Sequence, residues 1–375
     1  MRRIFFWLHL SAGSIAGVVI LLMSVTGVLL TYEKQLVAWV DREYKVEPGS
    51  SMKSLEKVLS NVPNARGITV RADARQPVLV ALNQGSVYVN PYTGEVIGEQ
   101  SKSTQSFFRS VTAWHRWLGA SSQSSARAVT GASNLAFLFL VMSGLYLWLP
   151  RVWKWTKVRA VLWFRGGLSG KARNFNWHNV AGFWCCVPLF FVVASGVVMS
   201  YPWASNMVYR AAGTQPPVQA GQGGREGGAA GRELDFSGID RLWNRAEEHA
   251  RTNVPGWKTI NFRLPASGRA PVAFTIDASN GGQPQKRGTL TLDRQTGEIE
   301  KWEPFESLDP GRRARSWVRF VHTGEYYGLG GQTIAGIASA GGALLVWTGL
   351  SLAFRRLRAR VGQARPLQDV GTFKP

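Results

Sequence analysis

Residues 4–32 read IFFWLHLSAGSIAGVVILLMSVTGVLLTY, a run without Lys, Arg, Asp or Glu. A helix of this length exceeds the roughly 20 residues needed to cross the roughly 30 Å hydrocarbon core of a bilayer. Arg2-Arg3 ahead of it imitate a secretory leader. The apolar stretch is too long for one, however, and no small-x-small cleavage site precedes Glu33-Lys34, so a retained span is expected. Residues 128–150, 177–203 and 326–354 repeat the pattern. The expected fold is therefore an α-helical membrane protein with four transmembrane helices.

Composition agrees with that reading. The 375 residues are 45% hydrophobic, yet mean hydropathy is only −0.08, so apolar and polar residues are segregated along the chain. Sixteen tryptophans suit a membrane interface. Cys185 and Cys186 are the two cysteines, adjacent in an apolar run, which excludes a disulfide framework, a CxxC metal site and CxxCH haem attachment.

Lys+Arg 44 against Asp+Glu 23 leaves +21, a balance that suggests nucleic acid until the charges are located. Most of the excess lies in three places: Arg2-Arg3, the loop carrying Arg151, Lys154, Lys157, Arg159, Arg165, Lys171 and Arg173, and the tail from Arg355. The positive-inside rule makes these pieces cytoplasmic and removes the case for nucleic acid. The expected order is span 1–32, outer segment 33–127, span 128–150, cytoplasmic loop 151–176, span 177–203, outer segment 204–325, span 326–354 and cytoplasmic tail 355–375. Both outer segments would be periplasmic in a bacterial inner-membrane protein. Residues 211–231, rich in Gly and Gln, have no apolar period and read as a disordered linker.

The chain repeats itself. His9-x3-Gly13 matches His178-x3-Gly182, and Thr26-Gly27-Val28 matches Ser195-Gly196-Val197. Ser143-Gly144-Leu145 and Thr348-Gly349-Leu350 close the other two spans. In the outer segments, 87–96 (VYVNPYTGEV) matches 290–299 (LTLDRQTGEI), each an alternating strand, a glycine turn and a second strand. A short helix is expected before each, over 54–60 and 239–249. The unit is span, small α+β domain, span, used twice as parallel repeats, and each repeat is expected to carry its own outer domain.

Four of the five histidines occupy repeat-matched places. His9 and His178 lie near the cytoplasmic ends of spans one and three; His115 and His322 lie in aromatic segments just outside spans two and four. His249 falls on the second soluble helix and reads as a solvated surface residue. A single interfacial histidine needs no more than a headgroup or backbone partner, but ionisable groups in spans are costly and usually functional. Two pairs at two depths suit axial ligation of haem in a helix bundle. With no CxxCH, the expectation is two non-covalent haem b groups: His9 with His178 on the cytoplasmic side, His115 with His322 on the periplasmic side. One site could instead take Met or water as its sixth ligand. Arg109, Arg116, Arg315 and Arg319 near the outer layer, and Arg2, Arg3, Lys171 and Arg173 near the inner, are candidate propionate partners. Gly13, Gly17 and Gly182 would admit a flat macrocycle, although small residues also serve helix packing. Zinc is less attractive, because no Cys or carboxylate shares either layer.

The paired Thr-Gly-Glu hairpins, Trp114-His115-Arg116-Trp117-Leu118-Gly119, Val321-His322-Thr323-Gly324 and the [Ser/Thr]-Gly-[Val/Leu] steps resemble the PepSY-associated transmembrane family of iron-regulated inner-membrane proteins. Within it they resemble ferrisiderophore reductases of the FoxB type. The resemblance implies PepSY-like outer domains and reduction of periplasmic Fe(III)-siderophore to Fe(II) by electrons carried across the membrane on b-type haem. No GxGxxG or Walker A run is present. The cytoplasmic pieces are too short for a flavin or nicotinamide domain, so the donor would be a separate flavoprotein or quinol. Gly328-Leu329-Gly330-Gly331 reads as a loosened helix start. No dedicated acid–base residue is called for. The other classes are a quinone-linked cytochrome b, a siderophore or iron permease component, and a regulatory scaffold.

Overall fold

A computed structural model describes residues 1–149, 154–217, 236–263 and 270–363. In chain order they form α1 (Arg2–Leu30), α2 (Glu33–Val40), α3 (Leu55–Ser60), β1 (Gly67–Arg71), β2 (Val78–Ala81), β3 (Ser86–Val89) and β4 (Val96–Glu99). Then come α4 (Lys102–Trp117), α5 (Gln123–Trp148), α6 (Trp155–Leu162), α7 (Gly170–Ser200), α8 (Pro202–Ala211) and α9 (Ile239–Asn253). They are followed by β5 (Thr259–Arg263), β6 (Val272–Asp277), β7 (Arg287–Leu292), β8 (Ile299–Pro304), α10 (Pro310–His322) and α11 (Gly328–Gln363). The expected linker lies mostly outside the described residues, as do the tail beyond 363 and Arg151. Two compact units result. Residues 1–31, 111–201 and 333 onward make a helical unit; residues 32–110 and 202–332 make a sheet unit.

In the helical unit the long apolar helices α1, α5, α7 and α11 pack together, with α5 against both α1 and α7. Their burial is inverted relative to a water-soluble bundle. Ile15 is 84% exposed, Val187 63% and Trp347 63%, while Ser143 is 3% and Thr348 0% exposed. Large apolar side chains face outward and small or hydroxylated ones face inward, as lipid on the outside demands. Ala16, Ile20 and Val346 form one inner cluster, and Cys185, Leu189, Val193 and Ala338 another. Buried Asn134 of α5 donates to the Val193 carbonyl of α7 at 3.1 Å. Gly196 leaves room for that amide. These are the features of a multi-pass membrane protein.

The sheet unit corrects the expectation of two separate outer domains. One continuous antiparallel sheet runs β4-β3-β2-β1-β5-β6-β7-β8. The first segment supplies one half and the second segment the other. Equivalent strands β1 and β5 meet at the seam, Thr69 opposite Asn261, Ile68 opposite Phe262 and Val70 opposite Ile260. A four-stranded half would leave β1 as an open edge with unpaired backbone groups, and pairing like edge with like edge removes both. Antiparallel pairing of equivalent strands gives a local two-fold through the seam. One face carries a shared core in which Leu55, Leu59, Ile68, Trp243, Phe262 and Phe274 are buried together. The second copy also caps the first: Asp240 of α9 accepts from the Ser54 hydroxyl and the Leu55 amide at the start of α3, both at 2.5 Å.

The hairpins follow their sequence. Asn90 Oδ1 accepts from the Tyr92 and Thr93 amides, Asp293 Oδ1 from the Gln295 and Thr296 amides, and Gly94 and Gly297 take φ of +75° and +77°. Two other readings change. His249 is half-buried against Trp302 at 4.5 Å between ring centres, not solvated, and its Nε2 has no hydrogen-bond partner among the described residues. Of the glycines at the start of α11, Gly331 serves close packing, because a side chain there would collide with the Gly324 carbonyl, and Gly328 takes φ of +65°.

Candidate functional site

His9 projects from α1 and His178 from α7. Their rings face each other with centroids 6.5 Å apart and planes at 87°. Each ring is seated by the partner helix of its own repeat. His9 Nδ1 meets Ser143 Oγ of α5 at 2.8 Å, and His178 Nδ1 meets Thr348 Oγ1 of α11 at 2.9 Å. The next residue in each case is glycine. A Cβ at Gly144 would lie 3.3 Å from His9 Cε1, and one at Gly349 would lie 3.3 Å from His178 Cε1. The hydroxyl–glycine step is thus a seat for an imidazole: the hydroxyl holds Nδ1, and the glycine makes room for the ring.

Hydrogen-bond counting assigns the tautomer. Ser143 Oγ donates to the Phe139 carbonyl at 2.7 Å and Thr348 Oγ1 to the Leu344 carbonyl at 2.7 Å. A hydroxyl has one proton. With it committed to the carbonyl, the oxygen accepts from Nδ1–H, and the imidazole lone pair resides on Nε2. That is the state a metal-ligating histidine requires, with its second nitrogen donating to an outer partner.

The same seat recurs at the other histidine layer. His115, in the last turn of α4, meets Thr26 Oγ1 at 2.9 Å; Thr26 Oγ1 donates to the Leu22 carbonyl at 2.7 Å; Gly27 follows, where a Cβ would lie 3.6 Å from His115 Cε1. Between His9 and Thr26 the helix rises about 25 Å, so the two seats on α1 are at well-separated depths. His322 ends α10, the repeat counterpart of α4, in the sheet unit.

His9 and His178 line a cavity of about 800 Å³ among α1, α5, α7 and α11. Its volume is within the range of about 300–1,000 Å³ typical of ligand pockets. Gly13, Gly17 and Gly182 are in the wall, and the Trp148 indole N–H, on another wall residue, is buried without a hydrogen-bond partner among the described residues. Lys171, Arg355 and Arg356 supply the cations. The last two were taken from sequence only as topology signals. Arg2, a candidate for this role, instead donates to the Leu147 carbonyl at 2.7 Å at the end of α5, and Arg173 stacks over Trp177 at 5.4 Å. Of the other arginines, Arg109 is exposed, Arg116 lies over the Trp117 ring at 4.7 Å and Arg319 over Phe320 at 5.4 Å.

The matching family model is the PepSY-associated TM region, which spans residues 6–356. The chain belongs to that family. Comparison with curated proteins gives no match. The family match covers all four long helices and the shared sheet, so the histidine seats lie inside it.

The residues in the cavity fit a haem. His9 and His178, with ring centres 6.5 Å apart at the cavity wall, would be the residues that hold it, each offering a nitrogen lone pair. Among the described residues, no group of three or more His, Cys, Asp and Glu side chains gathers as a conventional metal site would. What sequence reasoning missed was the role of Ser143, Thr348 and Thr26. The signal was present, because every span carries one [Ser/Thr]-Gly-[Val/Leu] step and the repeats carry as many matched histidines.

Proposed function

We propose that this protein is a membrane oxidoreductase that holds two haem b groups and delivers electrons across the bilayer to Fe(III)-siderophore, releasing Fe(II). The observation that carries the reading is the His9–His178 pair, seated in the Nε2 lone-pair tautomer across a glycine-walled cavity. Haem, when bound, would supply reversible one-electron redox chemistry.

The chain's own residues do the positioning. His9 and His178 would hold the haem nearer the basic helix ends, with Ser143 and Thr348 fixing ring orientation. Lys171, Arg355 and Arg356 would pair the propionates, and the apolar wall of Leu140, Leu189 and Leu345 excludes water. His115 and His322 would be the ligands of the second haem, and Arg109, Arg116 and Arg319 its candidate propionate partners. The positive-inside rule supports cytoplasmic termini and a periplasmic sheet unit. A separate flavoprotein or quinol would be the donor. Iron(III) bound by hard oxygen ligands is held much less tightly once reduced, so delivery of one electron releases it.

The test starts with the purified protein from haem-replete cells. A pyridine haemochrome assay is expected to give two non-covalent haems per chain; none would overturn the reading. The dithionite-reduced protein, freed of excess reductant, is then mixed anaerobically with ferric siderophores and ferrozine. Reoxidation with matching Fe(II) is expected. Reoxidation by a quinone but by no ferric chelate would make the protein a quinone-linked cytochrome.

A further inference from the structure

The sheet unit contains a separate cavity of about 520 Å³, bounded by β7, β8, the turn at 305–307 and α10. Four arginines line it: Arg287 from β7, and Arg312, Arg315 and Arg319 from α10. The last three are spaced i, i+3, i+7, which puts them on one face of the helix. A charge tally separates them. Arg287 is neutralised by Asp277, to whose Oδ2 it donates from Nε at 3.0 Å and from Nη2 at 2.9 Å. Arg312 is paired with Glu303 at 3.1 Å, and Glu303 is shared with Lys301 at 2.8 Å. The cations hold the Glu303 carboxyl down to about 2, so this pairing persists at any physiological pH.

Among the described residues, neither Arg315 nor Arg319 is paired with a carboxylate. Arg315 is half-buried, and its Nε donates to Ser205 Oγ at 3.0 Å, while its remaining N–H groups have no partner among the described residues. Burial pushes its pKa down, Tyr209 offsets this in part, and the like charge of Arg319 adds a smaller lowering; arginine nevertheless stays charged. Two like charges at i, i+4 weaken a helix, and a half-buried cation without a counter-charge is costly. Such an arrangement is stable in a fold only if something else answers the charge. Arg319 is exposed beside the cavity, so the answer can come from solution.

We infer that the cavity formed by Arg312, Arg315, Arg319 and β7–β8 binds a small polycarboxylate anion. Its two uncompensated guanidiniums match a ligand with two or more negative charges. The planar fork of arginine suits bidentate contact with carboxylate oxygens, which a point-charge cation would not provide. Phe305 and Phe320 in the wall give the carbon skeleton of such a ligand an apolar surface. The assignment uses neither histidine seats nor iron, but it shares Arg319 with the candidate propionate partners of the second haem, so the probe is iron-free.

The probe is iron-free citrate, titrated by calorimetry into the full-length protein in detergent at low salt. Saturable binding is expected, weakening as salt rises. Arg315→Gln and Arg319→Gln should each weaken it about tenfold or more, as loss of a charge-assisted pair does. Arg313→Gln, on the same helix but outside the cavity, should leave it unchanged. Exposed Arg319 keeps the test open if the Arg315 variant misfolds, and Arg319→Lys should restore only part of the affinity. Absence of citrate binding would overturn the inference, as would equal loss in Arg313→Gln. Pyrophosphate binding more tightly than citrate at the same arginines would overturn the carboxylate assignment.

Discussion

Replacing Thr348 by Val keeps the shape of a fully buried side chain and removes one oxygen. That oxygen is the acceptor for His178 Nδ1–H at 2.9 Å. A buried donor left without its acceptor costs about 1–3 kcal/mol. Mutation of outer partners of metal-ligating histidines typically lowers affinity about 10–100-fold. That range corresponds to about 1.4–2.8 kcal/mol, so the two estimates agree. Thr348→Val is therefore expected to weaken haem binding at the His9–His178 site by one to two orders of magnitude, and Thr348→Ser to restore it. The assay is haem titration of apo-protein in nanodiscs, followed by the Soret band, with ferric low-spin signals reporting ligation. Wild-type affinity and spectrum in Thr348→Val would refute the seat argument. So would a Ser variant as impaired as Val.

Four further outcomes are expected. Gly144→Ala or Gly349→Ala, which bring a methyl to 3.3 Å from the histidine Cε1, should perturb the same spectrum while melting temperature stays near wild type; an unchanged spectrum would argue against the close seat. Tyr88 donates to buried Asp41 at 3.0 Å, an arrangement that with burial raises the phenol's pKa. Tyr88→Phe should thus cost the sheet unit about 1–3 kcal/mol in denaturant unfolding, and a loss within error would refute this. His249 has its pKa lowered by burial and then by Arg245. Its neutral form is favoured in the fold, so its contribution is complete above about pH 6.5 and is lost as pH falls through the folded value; His249→Gln should flatten that part of the stability–pH curve, and an unaltered slope would count against it. Finally, residues 33–110 expressed alone should lack stable sheet by circular dichroism, because β1 loses β5; a cooperative melt of that fragment would show that the halves fold independently.

Periodicity and local chemistry were enough for the four apolar helices, the duplication and the Thr-Gly-Glu hairpins. Each depends on residues close in sequence: an uncharged run, an Asx turn closed by a glycine, a repeated spacing. The tertiary structure decided what depends on helix rotation and strand register. β1 and β5 read as strands of separate domains, and only the cost of two open edges joins them. Arg2 and Arg355 were both basic residues beside a span, yet one meets the carbonyls ending α5 and the other lines the cavity, because their helices turn different faces inward. Ser143 and Thr348 looked like ordinary small residues at helix contacts. Three-dimensional packing brings each within hydrogen-bond reach of a histidine more than a hundred residues away, and that proximity, invisible to any local pattern, sets which imidazole nitrogen carries the lone pair.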